Sequence, residues 1–299
     1  MHDVIIIGGG FAGLSAAIYT VRFNLETLVV AKNMGGVITE SYLVENYPGF
    51  KSISGIELMD KFIEQAKYLG AELKETEVKK IKKEGRKFVV ETSDGKFESK
   101  AILLAMGSVK RDLNVPGIQE FRGKGVSYCA TCDAAFFKDK IAGVVGGGNS
   151  AAEAAILLAK HAKKVYLLYR GDDLHRVEPV MVNQIKKEKK IEVVFNVNVK
   201  KVKGDKVMGS VVLDNGKELK MDGLFIEIGA DPASGMAKQL GVKLDAKGHI
   251  ITDAAQRTNI PMVYAAGDIT TGSNMFEQGV CAASEGAIAA DSIFKDLRK

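Results

Sequence analysis

The sequence predicts an α/β protein built from two parallel-sheet domains. Three observations predict it. A strand, glycine turn, helix and second strand follow one another twice along the chain. The chain has 299 residues, enough for two domains. It carries 32 Gly against 5 Pro, so many backbone positions turn tightly or approach something closely. That suits a nucleotide-binding α/β fold better than an all-helical bundle.

The first unit opens on Val4-Ile5-Ile6-Ile7, a short apolar run that reads as a buried parallel strand. Gly8-Gly9-Gly10-Phe11-Ala12-Gly13 follows, then Leu14-Ser15-Ala16-Ala17-Ile18 as a helix and Leu28-Val29-Val30 as the next strand. The second unit repeats this order. Ile141 to Val145 is the strand, Gly146-Gly147-Gly148-Asn149-Ser150-Ala151 the turn, Ala152 to Ile156 the helix and Val165 to Leu168 the second strand. Gly8, Gly10 and Gly13 match G-x-G-x-x-G; Gly146, Gly148 and Ala151 match G-x-G-x-x-A. The first Gly permits the turn, the second admits a pyrophosphate to the backbone, and the third lets the helix pack on the strand. The helix N-terminus then offers free N–H groups to phosphate. Two copies in one chain imply two nucleotides and electron transfer between them.

Near the end, Ile260 to Asp268 reads as a short strand closing in Gly267-Asp268, and Gly279 to Lys295 as a helix. Asp268 reads either as an acceptor for a sugar hydroxyl or as a helix cap. The basic run Lys186 to Lys190 reads as the solvated outer face of an amphipathic helix, not as a nucleic-acid contact. The formal charge of +5 is small and spread out. No stretch approaches the roughly 18 apolar residues of a membrane span. Met1-His2-Asp3 leads straight into a strand, so no signal peptide is expected.

The cysteines are Cys129, Cys132 and Cys281. An odd, low count argues against a secreted disulfide framework, and a cytoplasmic location follows as the default. Cys129-Ala130-Thr131-Cys132 can close a small reversible disulfide, and a thiol at a helix start has thiolate character. Zinc would need two further ligands, and no second Cys pair exists. Asp133 reads equally as a proton donor or an N-cap. Cys281 reads as a small buried apolar residue.

Taken together, these stretches resemble the low-molecular-weight thioredoxin reductases over essentially the full length. The matching stretches are Gly8 to Gly13, Gly35-Gly36, Glu45-Asn46-Tyr47-Pro48-Gly49, Cys129 to Asp133, Gly146 to Ala151, Gly267-Asp268 and Gln278. The resemblance implies two Rossmann-like, three-layer domains, one inserted in the other. Residues 1–112 and 241–299 would form a discontinuous FAD domain. Residues 113–240 would form an NAD(P)H domain carrying the cysteine pair, with hinges near Arg111-Asp112 and Gln239-Leu240-Gly241.

The resemblance also assigns roles. Gly8, Gly10, Ala12, Gly13, Gly35, Gly36, Val37, Asn46, Gly267, Asp268, Gln278, Gly279 and Val280 fall where the family holds FAD. Gly146, Gly148, Asn149, Ser150, Ala151, Arg170 and Arg176 are the NADPH candidates. Cys132 would be the thiol nearest the flavin, Cys129 the thiol that attacks the partner, and Asp133 the proton donor. The implied activity is NADPH-dependent reduction of thioredoxin or a glutaredoxin-like protein by a homodimer, with no metal, nucleic acid or membrane involved. The alternatives are a related flavoprotein disulfide reductase using NADH or another reductant, and a redox-sensing flavoprotein without turnover.

Three departures stand out. The family's Gly-Gly-Gln is Gly35-Gly36-Val37 here. The Arg before the flavin-contacting Gln is Glu277. The 2′-phosphate signature His-Arg-Arg-x-x-x-Arg reads Tyr169-Arg170-Gly171-Asp172-Asp173-Leu174-His175, with Arg176 adjacent. NADPH is therefore expected over NADH, by a narrower margin than in relatives with all three cations.

Overall fold

Alternate residues of the first strand serve two different cores. Val4 and Ile6 pack with Leu14, Ala289 and Ile293 on one face of a sheet. Ile5 and Ile7 pack with Val78, Phe88 and Ile250 on the other. A strand buried on both faces needs the unbroken apolar run found here. The architecture is that of a computed structural model, which describes residues 1–41 and 43–299. It divides into two compact units, residues 1–109 with 231–299, and residues 110–230.

The chain begins with β1 (His2–Gly9), α1 (Phe11–Arg22), β2 (Thr27–Met34), α2 (Gly55–Tyr68) and β3 (Glu72–Glu75). Helix α2 starts at a capping box, Ser54 with Glu57, which satisfies two end N–H groups reciprocally. An antiparallel meander follows: β4 (Val78–Glu84), β5 (Lys87–Thr92) and β6 (Gly95–Leu104). The first half of β6 pairs with β5; its second half runs parallel to β1. The chain then leaves the first unit through β7 (Ser108–Lys110).

The second unit contains β8 (Val126–Ser127), α3 (Ala130–Asp133), β9 (Ile141–Val145), α4 (Asn149–His161), β10 (Lys164–Leu168), α5 (Pro179–Lys187) and β11 (Ile191–Val194). It continues with β12 (Val199–Gly204), β13 (Met208–Leu213), β14 (Glu218–Lys220) and β15 (Gly223–Ile226). The parallel sheet has the order β11-β10-β9-β15-β8. Helix α4 covers one face, where Val144 and Leu167 meet Ala155 and Leu158. The meander β12-β13-β14 covers the other, where Leu224 and Ile226 meet Val202 and Val211.

The chain returns through β16 (Ala230–Pro232) and α6 (Gly235–Gln239), then adds β17 (Val263–Ala265) and α7 (Gly279–Leu297) to the first unit. β17 runs parallel to the second half of β6, so the parallel strands have the order β3-β2-β1-β6-β17. Each unit is thus a helix layer, a parallel sheet and a meander layer, the expected three-layer α/β class.

Some boundaries differ from the sequence expectation. The crossings fall at 109/110 and 230/231, not at 112/113 and 240/241. The reason at the return is packing: Ala237 and Val242 belong to the same buried cluster as Ile5 and Ile102. The basic run is only partly helical, because α5 ends at Lys187 and Lys190 extends its Nζ to the Ala159 carbonyl. Among the described residues no helix is long and apolar enough to cross a membrane.

Candidate active site

The glycines of the first turn do different jobs. Gly8 has φ +116, and a Cβ there would lie 2.1 Å from the Ala105 carbonyl oxygen. A Cβ on Gly13 would lie 1.9 Å from the Gly8 carbonyl oxygen, so α1 and β1 touch backbone to backbone. At Gly10 a Cβ would meet only the Gly36 Cα, 3.9 Å away. That space is open. Gly10 is also the N-cap of α1, supplies no side-chain cap, and precedes a first turn without acidic residues. Such an end holds free N–H donors and positive potential for an anion.

Other expected residues gather around this turn. Gly35 and Gly36 have φ +99 and +69, and a Cβ on Gly36 would come within 3.0 Å of the Gly10 Cα. Gly279, at the start of α7, packs on Phe11 at the start of α1, and α7 also lacks a side-chain cap or an acid in its first turn. Ala12 lies under Gly267, whose would-be Cβ stands 3.1 Å from the Ala12 Cβ. Asn46 Nδ2 donates to Gln278 Oε1 at 3.0 Å. Val37 and Val280 are exposed at the edge. The donors and open backbone fit a pyrophosphate, and Asn46, Gln278 and Asp268 fit sugar and ring polar groups.

Asp268 is mostly buried. Burial first, then the charges of Glu277 and Glu285, push its carboxyl up to about 6. It lines a shallow, open pocket with Met275, Phe276, Glu277 and Cys281. Cys281 is therefore half-buried at a pocket wall, not a core residue as the sequence suggested. The reason is its place in the first turn of α7, beside the loop from Gly267 to Phe276.

Sequence reasoning missed Glu285. This buried carboxylate accepts from the Gly267 amide at 2.8 Å, the Thr270 hydroxyl at 3.1 Å and the Ser273 hydroxyl at 2.6 Å. It braces a loop in which Ser273, Asn274 and Met275 all have left-handed φ, a costly conformation for side-chain-bearing residues. An acid on the small-residue face of α7, between Ala282 and Gly286, was the available signal.

The second turn repeats the first. A Cβ on Gly146 would strike the Glu227 carbonyl oxygen at 2.0 Å and lie 2.8 Å from the Ala151 Cβ; at Gly148 nothing lies within 4 Å. Gly148 is the N-cap of α4, again without a side-chain cap or an acid in the first turn. Ser150 is exposed and Ala151 is buried. Asn149 is committed elsewhere: its Nδ2 donates to Glu178 Oε1 at 3.0 Å and its Oδ1 accepts from the Glu178 amide at 2.9 Å. It therefore ties the loop carrying Arg170 and Arg176 to the turn. Both arginines are exposed. His175 sits 3.7 and 3.6 Å from the carboxylates of Asp172 and Asp173.

Cys129 and Cys132 form a disulfide with Cα atoms 5.4 Å apart. Cys129 is the N-cap of α3 and its Sγ accepts from the Cys132 amide at 3.1 Å. The pair is anchored from below, where Phe137 packs on Gly223 and edge-to-face on Phe225. Phe136 points outward and is 70% exposed. Before the pair, the Tyr128 hydroxyl donates to Asp112 while the Arg122 guanidinium lies 4.5 Å from its ring centre. Burial and the Asp112 carboxylate push the Tyr128 phenol up to about 12. Asp133 occupies the cap position of the 3-10 turn Ala134–Phe137, yet its side chain makes no capping hydrogen bond. Capping therefore does not account for its carboxylate.

The chain is similar to known proteins over nearly its whole length. A family described as pyridine nucleotide-disulphide oxidoreductase matches residues 2–286. The thioredoxin reductase of Listeria monocytogenes is 39% identical, with 99% of this chain and 93% of that protein covered. The crystal structure of Lactococcus lactis thioredoxin reductase matches with a TM-score of 0.95 at 37% identity, covering 100% of this chain and 99% of that one. The T. acidophilum thioredoxin reductase structure matches with a TM-score of 0.94 at 39% identity and the same coverage. With two dinucleotide turns, a closed Cys-x-x-Cys disulfide and a match over nearly the whole length, the chain belongs to the pyridine nucleotide-disulphide oxidoreductase family and is an oxidoreductase that acts on a disulfide.

Proposed function

We propose that the chain is a thioredoxin-disulfide reductase, with electrons passing from NADPH through FAD and the Cys129–Cys132 pair to thioredoxin or a thioredoxin-like protein. The unit formed by residues 1–109 and 231–299 holds FAD; the unit formed by residues 110–230 holds the nicotinamide nucleotide and the cysteines. The protein works as a homodimer in the cytoplasm. The observation that carries the reading is the closed Cys129–Cys132 disulfide in a chain with two open, uncapped dinucleotide turns.

Bound at the first turn, FAD would supply two-electron transfer between the nicotinamide and the disulfide. Two electrons and two protons open Cys129–Cys132 to a dithiol. The Cys129 thiolate, favoured by the Cys132 N–H at its Sγ, attacks the partner disulfide. One partner sulfur leaves as a thiolate, and Cys129 holds the other in a mixed disulfide. Cys132 then attacks Cys129, re-forming the internal bond and releasing the second partner thiol. Asp133, free of capping, carries the proton for the departing thiolate. Arg170, exposed beside the second turn, meets the 2′-phosphate as a charge-assisted donor.

The test is steady-state turnover of the purified yellow protein with NADPH and NADH, each with a thioredoxin. Thioredoxin-dependent oxidation, faster with NADPH, is the expected result. No oxidation with either coenzyme, or released flavin that is FMN, overturns the assignment.

A further inference from the structure

The residue at the end of the second strand of a dinucleotide fold stands beside the adenosine ribose and decides whether a 2′-phosphate is welcome. Here that residue is Tyr169, directly after β10. Its ring lies against two glycines. A Cβ on Gly147 would stand 2.1–2.4 Å from its Cε2, Cδ2 and Cζ. A Cβ on Gly171 would stand 2.6 Å from its Cε1, 2.8 Å from its Cζ and 3.0 Å from its hydroxyl. Gly147 belongs to the turn itself, so sliding the ring off position 171 toward position 147 presses it into that turn.

The backbone cannot give way either. The Tyr169 amide donates to the Val194 carbonyl at 2.9 Å, and the Val197 amide donates to the Tyr169 carbonyl at 3.2 Å. The Asn196 amide donates to the Gly171 carbonyl at 3.0 Å. Both Tyr169 and Gly171 are thus tied to the segment that leaves β11. In a packed site with a fixed backbone, an added side chain cannot be absorbed by small shifts.

We infer that Tyr169 sets coenzyme selectivity at this site by excluding any side chain from position 171, so that Arg170 reads the ribose end without a cation from position 171 beside it. The glycine at 171 is then a consequence of the tyrosine at 169, and the two act as one unit. The inference rests on the nicotinamide reading of the second turn, and it narrows that site's preference for the 2′-phosphate without abolishing it.

The test is calorimetric binding of ADP-ribose and 2′-phospho-ADP-ribose to the FAD-loaded protein. Four forms are compared: wild type, Tyr169→His, Gly171→Arg and the double variant. Gly171→Arg alone is expected to change the phosphate preference less than about threefold and to weaken both ligands. The double variant is expected to gain roughly ten- to a hundredfold in preference for the phosphorylated ligand, one charge-assisted hydrogen bond's worth. Equal preference in Gly171→Arg and the double variant overturns the coupling.

Gly171→Ala guards against an arginine variant that does not fold. It is expected to melt roughly 3–8 °C lower in the Tyr169 background and to regain most of that loss with Tyr169→His. No loss in the Tyr169 background overturns the steric claim. If no form binds either ligand, the inference and the nicotinamide reading fall together. Binding without thioredoxin turnover removes only the proposed partner.

Discussion

The Cys132 amide donates to the Sγ of Cys129 across the first turn of α3, at 3.1 Å. The two cysteines are therefore unequal. Cys129 has a fixed N–H donor for a thiolate, and Cys132 is the more exposed of the two. Cys129→Ser and Cys132→Ser are each expected to abolish thioredoxin reduction while leaving flavin bleaching by NADPH intact. Stopped-flow absorbance at the flavin band and a thioredoxin-coupled assay separate the two steps. Turnover by either variant above about one per cent of wild type contradicts the exchange scheme.

Two glycines from different positions of the dinucleotide motif are expected to behave oppositely. Gly148 has room for a methyl group, with nothing within 4 Å of its would-be Cβ and an ordinary extended backbone. Gly148→Ala is expected to melt like wild type, yet to raise the KM for NADPH about tenfold by filling the space the pyrophosphate needs. Gly13→Ala meets a backbone oxygen at 1.9 Å and is expected to cost about 3 kcal/mol or more in stability. Thermal melts with coenzyme KM values check both.

What could be read from the sequence follows physical range. The turns at Gly8–Gly13 and Gly146–Ala151 were legible because strand period, glycine spacing and helix start all lie within one short segment. The resemblance put Asn46 and Gln278 at one cofactor, but that Asn46 donates to Gln278 was not legible, since 232 positions separate them. Glu285 was hidden because a lone acid in a helix reads as solvated; only its three donors, brought from the Gly267–Ser273 loop, show it as a brace. Gly171 looked like a lost cation in the sequence. The ring of Tyr169 over it shows a steric requirement instead.

Phe136 is expected to contact the protein substrate. It is 70% exposed, lies four residues after Cys132, and is held outward because its neighbour Phe137 is pinned on Gly223 and Phe225. An exposed aromatic beside a reacting pair makes an interface anchor. Phe136→Ala should raise the KM for thioredoxin about tenfold, a loss of roughly 1.4 kcal/mol, and leave reduction of a small aromatic disulfide unchanged. An equal loss with both substrates would place Phe136 in the redox chemistry itself.

Asp268 gives a pH dependence whose sign can be worked out. Burial, then Glu277 and Glu285, raise its carboxyl from 3.8 to about 6 in the folded protein. The folded state then holds this proton more tightly than the unfolded state. Asp268 therefore destabilises the flavin-depleted protein fully above about pH 6, and that penalty is relieved as the pH falls from about 6 toward 4. Asp268→Asn, which cannot ionise, should stabilise the flavin-depleted protein by about 1–3 kcal/mol at pH 7.5 and by little at pH 4. In excess FAD the sign should reverse at pH 7.5 on the proposed role of Asp268, whose carboxylate would then accept a hydrogen bond from a hydroxyl of the cofactor. Urea denaturation at the two pH values, with and without FAD, measures all four quantities. A stabilisation by Asp268→Asn that is equal at pH 4 and 7.5 would show that the side chain's size, not its charge, is what strains the site.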